Sequence, residues 1–145
     1  MGKKRIIKKG STPDEREKLP GTGGGEHVSR KVTRGIAHIQ ATYNNTMIMI
    51  TDEHGNALAW CSAGSLGFSG AKKATPFAAA RVVESLGDKM RRIGLQEITV
   101  RVSGVGAGRD SAIRALANQG LHVSSIKDVT PLPHNGPRPK KMRRV

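Results

Sequence analysis

The chain has 145 residues, with 25 Lys and Arg against 11 Asp and Glu, a formal charge of +14 and a pI near 10.8. That length allows one modest core, and so large an excess of one sign repels itself in the compact state unless a polyanion accompanies it. No apolar run reaches the roughly 20 residues that span a bilayer, so nucleic acid, not an anionic membrane, is the expected partner.

The remaining composition narrows the chemistry. "MGKKRI" opens like a myristoylation signal but has Ile6 where Ser or Thr is needed, and it has no apolar signal-peptide core. Cys61 is the single cysteine, which excludes an internal disulfide and a multi-cysteine metal site; it reads as a small core hydrophobe. The five histidines (His27, His38, His54, His122, His134) show no metal-ligand spacing. Aromatic residues make up 3% of the chain, too few for a binder that relies mainly on stacking bases, which favours recognition of phosphate and shape.

In chain order, residues 1–26 read as a basic arm and flexible linker. Lys3, Lys4, Arg5, Lys8 and Lys9 meet no acid in the first ten residues, and "GSTPDEREKLPGTGGGEH" has Gly and Pro without apolar periodicity. Residues 27–130 read as an α/β domain. A first strand is expected over Ile36–Thr42, with Ala37, Ile39 and Ala41 on one face. "YNNT" is a turn, and "TMIMIT" a strand apolar on both faces, hence expected to be central and covered on both sides. After the "DEHGN" turn, a third strand over Ala57–Ala63 completes an antiparallel meander.

The glycine-rich stretch "GSLGFSGAKKATP" leads into a helix. Thr75 is a natural N-cap, Pro76 suits the first helical position, and Gly94 stops the helix. Ala79, Val82, Val83, Leu86, Met90 and Ile93 form its apolar stripe, while Arg81, Lys89 and Arg92 point elsewhere and can pair in part with Glu84 and Asp88. A fourth strand around Ile98–Val102, a helix over Ser111–Asn118 with Asp110 as its cap, and a last strand over Val123–Val129 follow. The order βββαβαβ implies a mixed sheet of about five strands flanked by helices. Residues 131–145 read as an extended basic tail, proline-rich and then cationic.

Two loops carry phosphate chemistry. "VRVSGVGAGRDSAIRAL" places Gly104, Gly106 and Gly108 between a strand and a helix. As a dinucleotide fingerprint it is flawed, because Arg109 stands where the third glycine belongs and no further parallel sheet follows. The glycines alone can serve a tight turn. The preferred reading places exposed N–H groups, the helix N-terminus and Arg109 on a nucleic acid phosphate, which accounts for the arginine. "GFSGAKKATP" is not a Walker motif. Its Lys72 and Lys73 lie just ahead of a positive helix end, an unfavourable placement that an anion relieves. A metal nuclease built from Asp52, Glu53, Asp110 and Asp128 is the enzyme alternative, but each acid has a plainer turn, cap or strand-end role. No catalytic residue, metal ligand or cofactor is assigned.

"ATYNNTMIMITDEHGNALAWCSAGSLGFSGAKKATPFAAA", "VSGVGAGRDSAIRAL" and "DVTPLPHNGPRPKKMRRV" resemble, in that order, the family of the eleventh protein of the small ribosomal subunit, in its bacterial or plastid form. The resemblance runs from about Gly35 to Val145. It implies a ribonuclease-H-like α/β fold without catalysis, located in the ribosome of a cytoplasm or plastid stroma. It also implies a place on the platform of the small subunit, bridging several rRNA helices, helping to form the cleft for the Shine–Dalgarno duplex with mRNA, and touching the seventh and eighteenth small-subunit proteins. Neither a membrane nor a small-molecule substrate is implied.

The rRNA-binding residues it implies are Asn44 and Asn45; Gly67, Ser69, Gly70, Lys72 and Lys73; Gly106, Gly108 and Arg109; and His134, Asn135, Gly136, Arg138, Lys140, Lys141, Arg143 and Arg144. Arg34 is counted with them. Ser69 stands where the family usually has a basic residue, Pro137 replaces a usual cysteine, and Lys140 and Met142 replace a usual proline and basic residue.

Overall fold

The computed structural model describes residues 32–138, 140 and 141. The expected arm and linker over residues 1–26, and Arg143 and Arg144, lie outside the described residues. The elements are β1 (Arg34–Ala41), β2 (Thr46–Thr51), β3 (Ala57–Ser62), α1 (Pro76–Ile93), β4 (Glu97–Ser103), α2 (Gly108–Asn118) and β5 (His122–Asp128), with two short 3-10 turns, Gly64–Leu66 and Gly70–Ala74, between β3 and α1. The expected βββαβαβ order holds.

The sheet order is β3-β2-β1-β4-β5. The first three strands form the antiparallel meander, and β4 and β5 add in parallel beside β1. Two crossovers, β3-α1-β4 and β4-α2-β5, both move in the same direction along the sheet. Right-handed connections that advance the same way leave their helices on the same face. Accordingly α1 and α2 pack against each other, α1 over β2 and β3 and α2 over β1. The core lies between that helical layer and the sheet: Ile39, Ile48, Ile50, Val100 and Val102 below; Val82, Val83, Leu86 and Leu116 above.

The one-sided helical layer corrects the expectation for "TMIMIT". Ile48 and Ile50 are buried under α1, but Met47 and Met49 point to the uncovered face and are half-buried. The central strand is β1. Methionine is apolar enough to mimic a core strand in sequence, yet its flexible thioether tolerates a half-exposed place.

Helix α1 forms as expected. The Thr75 hydroxyl accepts a hydrogen bond from the Ala78 N–H (3.3 Å), Pro76 takes the first position, and Gly94 ends the helix in the left-handed region (φ 83°). Ala78, Ala79, Val82, Val83, Leu86 and Met90 are buried, while Ile93 is half-buried. Truncating fully buried Leu86 to Ala would cost about 2–5 kcal/mol. On the outer face Arg81 pairs with Glu84 (2.8 Å), but Asp88 takes Arg91 (3.8 Å), not Lys89 or Arg92. Helix α2 begins at Gly108, three residues before the expected Ser111. Asp110 therefore lies inside its first turn and is not its cap; the N-cap is Ala107, with no side-chain bond.

Candidate nucleic-acid interface

Strands β1, β3, β4 and β5 run in one direction, so their carboxyl ends meet at one end of the sheet. Four segments leave from that end: the turn after β1, the glycine-rich loop after β3, the Gly104–Ala107 loop after β4, and the chain after β5. The N-termini of α1 and α2 open there too. In open α/β sheets this is where ligands are bound, because loops and helix dipoles converge.

The structure thus gathers Asn44, Asn45, Gly67, Ser69, Gly70, Lys72, Lys73, Gly106, Gly108, Arg109 and the start of the tail at one end. It places Arg34 elsewhere. That residue opens β1 at the opposite end and its Nε donates to Glu97 Oε2 (2.9 Å). Asp52 and Glu53 also lie at that far end, in the β2–β3 turn, where both Asp52 oxygens accept hydrogen bonds from Asn56 (2.8 and 2.7 Å). These bonds, the side-chain one foremost, lower the Asp52 carboxyl below its ordinary value. The four acids of the nuclease alternative are thus divided between the two ends of the sheet.

The turn after β1 is built around Thr42. Its hydroxyl accepts from the N–H groups of Asn44 (3.4 Å) and Asn45 (3.0 Å) and donates to the Asn45 carbonyl (3.1 Å). Asn44 is exposed and Asn45 half-buried. In the loop after β3, Gly67 and Gly70 have left-handed φ (85° and 57°), and a Cβ on either would meet nothing. Lys72 is exposed and Lys73 half-buried, both beside the α1 N-terminus, where the Lys72 carbonyl accepts from the Thr75 hydroxyl (2.7 Å).

The loop after β4 differs from its sequence reading. Gly106 and Gly108 are buried and neither has positive φ; only Gly104 does (φ 96°). The Gly106 N–H is not presented to a phosphate, for it donates to the Ala41 carbonyl (2.9 Å). A methyl group on Gly104 or Gly106 would drive into the carbonyl oxygens of Ala41 and Thr42, and one on Gly108 would sit 2.5 Å from Thr46 Oγ1. These glycines seat the loop and the first turn of α2 against β1 and the turn that follows it. The close approach that these glycines allow is taken up by the protein's own backbone and by Thr46.

Arg109 is likewise engaged within the protein. It lies in the first turn of α2, where Nη1 donates to the Gly104 carbonyl (3.0 Å) and Nη2 to Asp128 Oδ2 (2.7 Å). Asp128 Oδ1 accepts from the Thr130 hydroxyl (2.6 Å) and N–H (2.9 Å), and Thr130 Oγ1 accepts from the Gly104 N–H (3.1 Å). Hydrogen bonds from Thr130, then from Arg109, hold the Asp128 carboxyl well below the usual carboxylate range. The cluster ties the end of β5 to the glycine loop and fixes where the tail departs. Beyond it, His134, Asn135, Gly136, Arg138, Lys140 and Lys141 are exposed, with Asn135 at φ 53°.

Sequence reasoning missed three exposed groups at this end: Tyr43 at the tip of the first turn, Val105 in the glycine loop, and Phe77 in the first turn of α1. Phe77 is held edge-on by Phe68 (6.1 Å between centroids), and the Arg81 guanidinium lies 5.3 Å from its ring centre. The overall scarcity of aromatic residues hid their placement; a tyrosine inside an Asn-rich turn was the available signal.

A cationic α/β scaffold with loops, two helix N-termini and a basic tail at one end of its sheet belongs to the class of RNA-binding proteins. The family model for Ribosomal protein S11 matches residues 35–144, and the chain belongs to that family. It is a structural protein of the small ribosomal subunit that binds rRNA and resides in the ribosome; the family is not one of enzymes.

Proposed function

We propose that this chain holds several rRNA helices of the small-subunit platform in one arrangement, using the carboxyl end of its sheet as the main contact surface. The convergence of four segments and two helix N-termini at that end carries this reading. Folded loops bring cations and donors to RNA grooves at fixed spacing, and the tail adds charge that follows the backbone. The contacting residues are Asn44, Asn45, the Gly67–Lys73 loop and His134–Arg144, with Gly106, Gly108 and Arg109 shaping the surface from beneath. Arg34 contacts RNA from the far end of the sheet. Residues 1–26 act as a basic arm and linker, 27–130 as the folded domain and 131–145 as the tail.

In the same proposal the protein helps form the cleft for the Shine–Dalgarno duplex with mRNA, beside the seventh and eighteenth small-subunit proteins, in a bacterial or plastid ribosome. Crosslinking in intact small subunits, read by residue and nucleotide, tests the proposal. Crosslinks from Lys72, Lys73 and the tail to platform rRNA are expected. Crosslinks confined to the opposite end of the sheet would refute it. Exchanging Lys72 and Lys73 for Gln should weaken rRNA binding and flatten its salt dependence, by about 0.9 in log–log slope for each phosphate no longer neutralised.

A further inference from the structure

The sheet face opposite the helices has no covering layer among the described residues, and one row of side chains crosses it. In register, Trp60 on β3 is beside Met49 on β2, Met49 beside His38 on β1, His38 beside Arg101 on β4, and Arg101 beside Lys127 on β5. Their strand neighbours Ala59, Cys61, Ile48, Ile50, Ala37, Ile39, Val100 and Val102 are buried on the helical side, so four of these side chains point the other way. Lys127 shares a shallow groove on that face with Arg101, Thr99 and Ser125. Five strands about 4.8 Å apart make the row roughly 19 Å long.

The row is chemically polarised. At one end is Trp60, 56% exposed. At the other, Arg101 and Lys127 are exposed, directly opposite each other, and in no ion pair among the described residues. Like charges directly opposite on neighbouring strands repel. Next to them His38 donates or accepts at Thr51 Oγ1 (3.2 Å); burial first, and the Arg101 charge second, lower its pKa. Two acids and Arg34 line the same groove: Glu97, which is engaged with Arg34 (2.9 Å), and Glu53 in the β2–β3 turn; neither pairs with Arg101 or Lys127. An anion over Arg101 and Lys127 relieves the repulsion, and a flat ring beside Trp60 covers its exposed indole.

We propose that this uncovered face is a second RNA surface that takes a single-stranded stretch, with a base stacked on Trp60 and phosphates on Arg101 and Lys127. Single-stranded RNA combines splayed bases with backbone charge, and an exposed sheet is a platform suited to both. An acidic peptide would satisfy the cations but leave the indole unmatched. The inference rests on the rRNA-binding reading, yet it concerns a different face from the one described above.

The chain has a single tryptophan, so its emission reports on this face alone, whatever the basic arms bind. The full-length protein is titrated with a mixed-sequence single-stranded oligoribonucleotide about ten nucleotides long, within common site sizes. Quenching of Trp60 is expected, and not with duplex RNA of the same sequence. Arg101→Gln with Lys127→Gln should lower the salt slope of that quench by roughly 0.7 for each phosphate no longer neutralised. Trp60→Ala, followed by anisotropy of a labelled oligonucleotide, should weaken binding about tenfold, with Trp60→Phe rescuing part of it. Lys72→Gln with Lys73→Gln should weaken rRNA binding and leave the quench intact. No quench, in a protein that still retains small-subunit rRNA on a filter, overturns the sheet-face proposal alone; failure to retain rRNA as well overturns the RNA-binding reading. A quench by a poly-glutamate peptide and not by RNA would also overturn it, marking the face as a protein contact.

Discussion

Replacing Gly106 by alanine separates two reasons for a glycine at that position. If its backbone lay open to a phosphate, a methyl group would obstruct the ligand and leave the fold intact. The structure instead buries Gly106 against Ala41 and Thr42, with its N–H on the Ala41 carbonyl and no positive φ to relieve. The added carbon would clash with backbone atoms that belong to β1 and its turn, which are not free to swing aside as a side-chain end would be. Overpacking of this kind costs about 1–3 kcal/mol, offset by roughly 0.4–1 kcal/mol from the reduced freedom of the unfolded chain. The net expectation is a destabilisation of about 1–2 kcal/mol, or a fall in Tm of roughly 5–10 °C for a domain near this size. Urea denaturation followed by circular dichroism reads the change, and filter binding to small-subunit rRNA at a temperature where both proteins are folded reads function. Affinity should stay within about twofold, given that every group facing the RNA is kept. Unchanged stability with strongly weakened rRNA binding would refute the packing account and restore the phosphate-facing one.

Thr46 is fully buried, and its hydroxyl has no hydrogen-bond partner among the described residues; Thr46→Val should therefore raise stability by about 1 kcal/mol, seen as a higher urea midpoint. The Asp128 carboxyl titrates well below its ordinary value, so its contribution is present above the unfolded pKa of about 3.9 and is lost as pH falls toward the folded value. Asp128→Asn should lower stability at neutral pH and flatten the decline from about pH 5 downward, measured by urea midpoints across that range.

What could be read from sequence was whatever is settled by neighbours along the chain. The alternation of Ala37, Ile39 and Ala41, the Thr75-Pro76 start and Gly94 end of α1, and the Asp52–Asn56 turn are all local, and all appear in the structure. What was not legible depended on partners remote in sequence. Gly106 and Gly108 gain their meaning from Thr42 and Thr46, and Arg109 from Asp128, across intervening helices and strands. A glycine required by close approach and one required by positive φ are written with the same letter. Similarly, Met47 and Met49 read as core because nothing in "TMIMIT" tells which face the crossovers will cover; that follows only from the handedness and direction of both connections. The end at which the loops gather was implicit in the strand order, but required the parallel register of β4 and β5 to become a site.

Arg109 provides the sharpest contrast between the two accounts of the carboxyl end. As a phosphate ligand it would contribute one ionic interaction. As the structure has it, it joins Gly104 and Asp128, and Asp128 in turn orients Thr130, whose hydroxyl receives the Gly104 N–H. The Val129 N–H continues the sheet by donating to Val102 (2.8 Å), so the chain leaves β5 along a fixed line before its cationic segment begins. A tail whose first residues are held loses less freedom on meeting RNA than one that hinges freely at Asp128. Arg109→Gln should then accelerate amide exchange at Val129 and Thr130 and weaken rRNA binding, with Arg109→Lys restoring little of either, since an ammonium cannot bridge two acceptors as a planar guanidinium does. If the exchange rates were unchanged, the salt slope fell by about 0.9 and Lys restored affinity, Arg109 would be a phosphate ligand after all, and the tail would owe its direction to something other than this cluster.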